Sequence, residues 1–349
     1  MNVSLSQIAA RSRVTPRAVS YALNGQPGVS SATRARIQRI AAELGYLPNA
    51  AARVMRSARS SDRPRTGQIG VLVRNDSSDR LTHLMAFETI LGINEGLEPH
   101  GFVVSLVRVG DVSKGLDSRS RVFEEHVLDG LIVLCEMPDG LDQAVQKLIP
   151  HVIWVESQTW AEEHCLRRDE VHSGRRCAEA MIDLGYRNLV WLDHSGAQRV
   201  DSGRPGYSGG DREAGVRAVA DAAGVPVRTF TLVYDNADTF ARCPDFLRAL
   251  TPGTAVIAGQ AYQARWLAHA AAAAGLTPPH HFGLCSCDDG YDVTSMWPGL
   301  CRVSFDRFEM GVRAAEMLRR RVETPDELNP SQRLRGQWRP GNTAWGPTA

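Results

Sequence analysis

The sequence predicts an all-α helix-turn-helix head followed by an α/β body with two lobes, each built on a doubly wound parallel sheet. Three observations support this fold class. Residues 1–47 have the pattern of three short amphipathic helices, strand-length apolar runs alternate with helical segments from Gln68 onward, and this alternation occurs in two successive series. A length of 349 residues, with 43% hydrophobic and 23% charged, is typical of a folded chain of two or three domains.

The three helices of the head have recognisable start and stop signals. Ser4-Leu5-Ser6-Gln7 has the order of a capping box, so the first helix begins there. Thr15-Pro16 opens the second helix as N-cap and first helical residue, and Asn24-Gly25 ends it. Ser30 begins the third. Two short helices joined by residues 11–14 form a helix-turn-helix, whose second helix is expected to enter the major groove of DNA.

Charge is distributed unevenly along the chain. Residues 1–65 contain eleven arginines and no lysine, against Glu43 and Asp62, which gives a formal charge of +9. Since the whole chain carries +1, the remaining residues carry −8. A basic head on an acidic body indicates that the head binds a polyanion and the body does not. The alternatives are a solvated basic face and a helical bundle that binds nothing.

The body is expected to contain alternating strands and helices. The predicted strands are 69–73, 102–107, 130–134, 152–156, 189–192, 228–232, 255–257 and 283–286. The predicted helices are about 82–99, 116–127, 140–149, 172–184, 211–223, 238–249 and 260–274. Because ligands bind such sheets at the carboxyl ends of the strands, a binding cleft is expected there.

Several classes of protein are disfavoured. There is no long apolar run and no signal peptide, so a cytoplasmic protein without membrane contact is expected. The seven cysteines have no paired spacing and are expected to be reduced. His280-His281 with Cys285 and Cys287 lacks a second pair at zinc spacing, so neither metal nor cofactor is predicted.

Two other functions need consideration. Gly206–Gly210 fits the G-x-S-x-G elbow of α/β-hydrolases with Ser208 as nucleophile, but the preceding residues read as a loop rather than the required strand. A solute-binding protein of a transporter is the second alternative, and it would need an export signal. We therefore expect a protein that is not an enzyme.

The chain resembles LacI/GalR-type transcription regulators along nearly its full length. The head carries the densest similarity, at Ile8-Ala9, Val14-Thr15, Val19-Ser20, Leu23-Asn24-Gly25, Val29-Ser30, Thr33-Arg34, Leu44-Gly45-Tyr46, Pro48-Asn49 and Ala52-Arg53. The body matches more sparsely, at Gly130-Leu131-Ile132, Asp169 with Gly174, Leu184-Gly185-Tyr186, Arg212 with Gly215, Ala274-Gly275-Leu276, Asp288-Asp289 and Pro298-Gly299-Leu300.

The resemblance implies a body like a type I periplasmic binding protein, a homodimer, and the following domains. These are a helix-turn-helix domain at 1–48, a hinge helix at 49–57, a linker at 58–66, and an effector-binding and dimerisation domain at 67–349. Lobe 1 is expected at about 67–165 and 305–335, and lobe 2 at about 166–304 and 336–349. The C-terminal residues contain no leucine heptads, so a dimer rather than a zipper-linked tetramer is expected.

The resemblance also implies which residues bind double-stranded DNA, as a pseudo-palindromic operator. Pro16, Arg17 and Tyr21 take the positions of base contacts, and the Arg17 guanidinium suits the acceptors of guanine. Tyr21 stands where many relatives have arginine. Met55 takes the place of a minor-groove leucine wedge, flanked by two arginines. The remaining expected DNA-binding residues are Ser4, Thr15, Ser20, Asn24, Thr33, Asn49, Ala52, Arg53 and Arg56.

A small-molecule effector, a sugar or related polar metabolite, is expected between the lobes. The residues implied for this site are Glu156, Asp169, Ser208, Arg212, Gln260, Asp288 and Phe305. Several depart from the family pattern: Glu156 replaces an aspartate, Gln260 an asparagine and Phe305 a glutamine. Trp154, Tyr207 and Tyr262 are further candidates for stacking on a ring, with core packing as the alternative. Asp169 and Arg212 have a second interpretation as an internal ion pair. The resemblance implies that effector and operator affinity are coupled, and a repressor is expected.

Overall fold

A computed structural model of the chain describes residues 3–23, 26–46, 65–74, 80–109, 128–134, 137, 141–193, 207–232, 237–290 and 297–346. The chain divides into two compact units, the head at 1–66 and the body at 67–349. The predicted helix at 116–127 and most of the predicted hinge and linker lie outside the described residues. No helix within those ranges is long and apolar enough to cross a membrane.

The described part of the head consists of three helices, α1 (Leu5–Ser12), α2 (Pro16–Leu23) and α3 (Ser31–Glu43). The predicted capping box is confirmed, because the Ser4 hydroxyl accepts a hydrogen bond from the backbone N–H of Gln7 at 3.3 Å and the Gln7 side chain accepts one from the backbone N–H of Ser4 at 2.8 Å. The Thr15 hydroxyl likewise accepts the backbone N–H of Ala18 at 3.2 Å. One small core joins the helices, formed by Ile8, Ala9, Val19, Ala22, Ile37 and Ala41.

The body contains the two predicted sheets. The strands of the first half are β1 (Gln68–Arg74), β2 (Val103–Val109), β3 (Gly130–Leu134), β4 (Val152–Val155) and β5 (Cys165–Arg168). Those of the second half are β6 (Asn188–Asp193), β7 (Val227–Thr231), β8 (Thr254–Ala258), β9 (Gly283–Ser286), β10 (Cys301–Ser304), β11 (Gln332–Leu334) and β12 (Gln337–Arg339). The first sheet has the order β11-β5-β4-β3-β1-β2 and the second β12-β10-β9-β8-β6-β7. Among the described strands, all pairs are parallel except β12 with β10.

Seven described helices accompany the sheets. They are α4 (Arg80–Leu97), α5 (Leu141–Leu148), α6 (Glu170–Asp183), α7 (Tyr207–Ala222), α8 (Ala237–Arg248), α9 (Ala261–Ala273) and α10 (Arg307–Glu323). The sequence does not predict α10 or the strands β5, β10 and β11. It predicts that β4 ends at Glu156, whereas Glu156 lies beyond the strand with a left-handed φ of 52°.

Lobe 1 is the part built on the first sheet and lobe 2 the part built on the second. The chain crosses between them after β5, after β10 and between β11 and β12, because α6 packs in lobe 2 and α10 in lobe 1. Each lobe contains a helix pair in close contact at glycines. A Cβ atom on Gly92 would lie 2.0 Å from a backbone oxygen of α10, and one on Gly174 would lie 1.9 Å from a backbone oxygen of α7. A side chain at either glycine would therefore push the two helices apart.

Candidate functional site

The helix α2 presents its polar residues at the surface of the head. Val19 and Ala22 are buried in the core, whereas Pro16 and Arg17 are exposed and Tyr21 is half-buried. The Arg17 Nε and Nη2 atoms donate hydrogen bonds to the Tyr21 hydroxyl at 3.1 and 2.9 Å. Two of the three residues predicted to contact bases, Arg17 and Tyr21, are therefore in contact with each other.

The described hydroxyl side chains among the other expected DNA-binding residues have local partners. Ser4 and Thr15 cap helices, as described above, and the Thr33 hydroxyl accepts a hydrogen bond from the Ser30 hydroxyl at 2.9 Å. Ser20 is half-buried on α2. The other predicted DNA-binding residues lie outside the described part of the chain; these are Asn24, Asn49, Ala52, Arg53, Met55 and Arg56.

In the body, charged side chains converge where the carboxyl ends of both sheets meet. Glu156 follows β4 and Arg168 ends β5, both in lobe 1, whereas Glu170 begins α6, Arg212 lies on α7 and Asp288 follows β9 in lobe 2. We call these five residues the ion cluster. Glu170, Arg212 and Asp288 are 0–2% exposed, and Arg168 and Glu156 are 11% and 19% exposed. The cluster therefore joins the two lobes in a nearly dry environment.

Arg212 is fully engaged by the protein. Its Nε and Nη2 atoms donate to the two carboxylate oxygens of Glu170 at 2.8 and 2.7 Å, and its Nη1 atom donates to the Gly259 carbonyl at 2.5 Å. Asp288 Oδ2 lies 3.3 Å from Nη2. Burial opposes the charged form, but the charges of Glu170 and Asp288 raise the pKa of Arg212. Arg212 is thus a fixed cation.

Arg168 differs from Arg212 in keeping donor capacity. Its Nε atom donates to Glu156 Oε2, and Nη2 lies 3.2 Å from Glu170 Oε1. Its Nη1 atom lies 3.8 Å from Asp288 Oδ2 and, although buried, has no hydrogen-bond partner among the described residues. Its guanidinium lies 5.2 Å from the centre of the Phe305 ring. A buried donor without a partner is costly in free energy.

Two carboxylates of the ion cluster are held ionised. Burial alone would raise the pKa of Glu156, but the charge and N–H groups of Arg168 and the hydroxyl of Tyr207 bring that pKa below its ordinary value. Burial likewise opposes ionisation of Asp288, and the charges of Arg212, Arg168 and a third arginine lower its pKa. Tyr207 donates to Glu156 at 3.0 Å, and burial raises the pKa of this phenol.

The internal ion pair considered between Asp169 and Arg212 is wrong. Asp169 caps α6, accepting the backbone N–H of His172 at 3.1 Å, and its other carboxylate oxygen lies 3.5 Å from Arg335 Nε. The partner of Arg212 is the next residue, Glu170. An N-cap side chain folds back on its own helix end, which leaves the following residue to face α7.

The remaining predicted effector residues surround the ion cluster or lie close to it in the chain. Ser208 is half-buried in the first turn of α7, Gln260 precedes α9, and Phe305 is 8% exposed beneath Arg168. Trp154, considered for ring stacking, is 3% exposed in the core of lobe 1, so its alternative role as a core residue is the one observed. Arg168 and Glu170 were missed, although they flank a predicted site residue directly after a strand.

The other motifs found in the sequence are structural. Cys285 and Cys287 are fully buried, and burial raises the pKa of both thiols. His281 Nδ1 lies 3.1 Å from the backbone nitrogen of Thr277. Within the described ranges, no group of three potential ligands is placed to hold a metal ion.

Known proteins match both units. Residues 4–49 match the family model described as bacterial regulatory proteins of the lacI family, and residues 178–343 match that of the periplasmic binding protein-like domain. The ribose operon repressor of Haemophilus influenzae is 24% identical over 338 residues, covering 93% of each chain. The chain belongs to the LacI family. It is a DNA-binding transcriptional regulator with a periplasmic binding protein-like body, which excludes the hydrolase and the transporter component.

Solved structures of known regulators have the same fold as this LacI-family chain. A lac repressor dimer bound to operator and the anti-inducer ONPF is 18% identical, with a TM-score of 0.73 over 99% of this chain and 100% of that one. A CelR–cellobiose complex is 21% identical, with a TM-score of 0.65 over 98% and 100%. The predicted fold class is thereby confirmed.

Proposed function

We propose that this LacI-family regulator is a homodimer that binds a pseudo-palindromic operator through α2. Its affinity for the operator changes when a neutral, polyhydroxylated effector binds at the ion cluster. The observation that carries the effector proposal is the buried, unpartnered Nη1 atom of Arg168 beside an ionised carboxylate of Asp288. One hydroxyl group can accept a hydrogen bond from Arg168 Nη1 and donate one to the Asp288 carboxylate, and sugar hydroxyls bind proteins through such paired hydrogen bonds.

The charge balance of the ion cluster favours a neutral effector. Three carboxylates, Glu156, Glu170 and Asp288, stand against the guanidinium groups of Arg168 and Arg212, so the five residues of the ion cluster carry one net negative charge. An anionic ligand would meet this charge at low dielectric and be repelled. The Phe305 ring supplies an apolar face near Arg168, suited to the C–H face of a sugar ring. In keeping with this, a structural relative holds cellobiose.

The effector proposal is tested by ligand-induced stabilisation of the full chain. All seven tryptophans lie beyond residue 150, so their fluorescence reports unfolding of the body alone. Neutral sugars are screened beside the acid of the same skeleton, for example glucose with glucuronate. A binder at 100 times its Kd stabilises the body by about 2.7 kcal/mol. The neutral member is expected to raise the melting temperature, and stabilisation by the acid alone would contradict the proposal.

Matched variants locate the effector. Tyr207→Phe removes only the hydroxyl that donates to Glu156, and Gln260→Ala shortens a half-buried side chain at the start of α9. Both are expected to weaken the effector's stabilisation while leaving the unliganded protein folded. Arg313→Gln, at an exposed position on α10, serves as control and retains full stabilisation. Unchanged stabilisation of both site variants would place the effector elsewhere.

The dimer proposal rests on exposed apolar side chains of lobe 1. Phe87 and Leu91 lie one helical turn apart on α4 and are 55% and 46% exposed, and Leu106 on the edge strand β2 is 61% exposed. Neighbouring exposed apolar residues mark interaction surfaces. A second copy is the proposed occupant, because a pseudo-palindromic site requires a twofold reader. Phe87→Asp with Leu91→Asp is expected to give monomers by sedimentation, whereas Leu328→Asp, at an 83% exposed site, stays dimeric.

A further inference from the structure

Arg17 and Tyr21 form a side-chain pair along the exposed face of α2. They are four residues apart, one helical turn, which places both side chains on the same face. The Tyr21 hydroxyl accepts two hydrogen bonds from one edge of the Arg17 guanidinium, at 3.1 Å from Nε and 2.9 Å from Nη2. The guanidinium carbon also lies 5.3 Å from the centre of the Tyr21 ring.

Tyr21 is the fixed member of this pair. Gly28 has a left-handed φ of +103°, and a Cβ atom there would lie 3.7 Å from the Tyr21 ring, so the ring packs against the loop that follows α2. The Tyr21 carbonyl accepts the backbone N–H of Gln26 at 3.0 Å. Arg34 on α3 donates to the Gln26 carbonyl at 2.6 Å. The half-buried ring thus packs beside Gly28 on a backbone held by hydrogen bonds, whereas Arg17 is exposed and its side chain has no hydrogen bond or ion pair to any other described residue.

The pairing leaves the other edge of Arg17 available. A guanidinium carries five N–H groups, and the Nε–Nη2 edge is directed at the tyrosine oxygen. One Nη1 hydrogen and the second Nη2 hydrogen form a separate pair of parallel donors, the geometry that binds two acceptors of a guanine. The Tyr21 hydroxyl oxygen is used as an acceptor, and its own hydrogen remains directed away from Arg17.

We propose that Tyr21 is a positioning residue, which orients the outer edge of Arg17 before DNA is bound and so sets base discrimination without itself selecting the base. This inference rests on the proposed base-reading role of Arg17. It reassigns Tyr21 from an independent base contact to the partner of Arg17. Ordering a long side chain before binding removes an entropy cost that would otherwise reduce affinity for the correct sequence.

The first experiment examines the free protein, so its outcome is independent of base reading. NMR order parameters of the Arg17 side-chain Nε–H are measured in the full chain and in Tyr21→Phe, which keeps the ring and its packing on Gly28. We expect a restricted Nε–H in the parent protein and a mobile one in the variant. Equal mobility in both proteins would overturn the proposal.

The second experiment measures discrimination. A randomised duplex library is selected with the full chain, and affinities for the selected duplex and its single-base-pair variants are measured by fluorescence anisotropy for the parent, Tyr21→Phe, Arg17→Ala and the double variant. Tyr21→Phe is expected to reduce discrimination about 3- to 10-fold at the base pair that Arg17→Ala affects, and to add nothing in the double variant. Binding to unrelated duplex should not change.

Two results would overturn the positioning role. If Tyr21→Phe reduced discrimination at a base pair that Arg17→Ala does not affect, and did so in the double variant as well, Tyr21 would be a direct base contact. A uniform loss across all sequences would make it a backbone contact. Arg36→Ala, which removes an exposed charge from α3, is the control and should lower affinity without altering any preference. If Arg17→Ala itself leaves every preference intact, the base-reading role fails, and the NMR result still decides whether Tyr21 orders Arg17.

Discussion

Arginine has opposite surroundings in the head and in the body. In the head, Arg11 and Arg39 are 59% and 72% exposed and share one carboxylate, Glu43, at 3.7 and 4.0 Å. In the body, Arg212 is 1% exposed, and both oxygens of Glu170 accept its hydrogen bonds. The head arginines keep N–H groups available for an external anion, whereas the Arg212 donors bind the protein itself. The surroundings of an arginine, rather than its residue type, therefore determine whether it is available to a partner or holds the protein's own carboxylates.

The largest expected effect follows from removing the head. A chain lacking residues 1–66 loses the exposed arginines but keeps the body as a compact unit. We expect complete loss of salt-dependent duplex binding, because phosphate neutralisation supplies most of the affinity, and full retention of effector stabilisation. Fluorescence anisotropy measures the first and tryptophan melting the second. Retained duplex affinity would show that body arginines also contact DNA.

The next effect concerns the buried arginine. Arg212→Leu leaves Glu170 and Asp288 buried without their main counterion, so a loss of about 3–5 kcal/mol in the free energy of unfolding of the body is expected. Denaturant titration followed by tryptophan fluorescence measures it. Arg217→Ala on the same helix breaks the half-exposed pair with Glu213 and should cost less than about 1 kcal/mol. Similar losses in both variants would remove the distinction between buried and exposed arginines.

Much of the fold could be predicted from the sequence because local signals and tertiary structure agree. The caps at Ser4 and Ser30 locate helix starts, and the apolar runs of β3 and β8 identify buried strands. The helix α10 was missed because its buried face includes Gly311, Ala314 and Ala315, which give a weak hydrophobic signal among many charged residues. Strand β5 was missed because two of its four residues are arginines.

The ion cluster could be predicted only in part from the sequence. Residues 168–170 are Arg, Asp and Glu, and the sequence identified only the middle one as a site residue. The chain changes there from strand to helix, so Arg168 lies in lobe 1, Asp169 caps α6, and Glu170 faces α7. The three neighbouring charged side chains therefore point in three different directions, and backbone geometry rather than residue type determines those directions.

A pH-dependent loss of body stability follows from the two carboxylates with lowered pKa values. The pKa values of Glu156 and Asp288 lie below the ordinary 4.5 and 3.8, so their contribution is fully present above the pKa of the unfolded chain. It is lost as the pH falls through the folded-state values. Tryptophan-detected unfolding midpoints should therefore drop steeply below about pH 4.5, and less steeply in Glu156→Gln. Identical profiles would show that Glu156 does not contribute.

The smallest expected effect is on the stability of the head when one of its exposed arginines is removed. Arg11→Ala removes one of the two exposed partners of Glu43, and Arg39 remains within 4.0 Å of that carboxylate. Because exposed ion pairs are screened and lose side-chain entropy, the stability of the head should change by less than about 0.5 kcal/mol. The head has no tryptophan, so amide hydrogen exchange of the buried α1 and α3 residues Ile8 and Ile37 is the measurement. A loss above about 1.5 kcal/mol would mean that exposed arginines stabilise the head as buried ones stabilise the body.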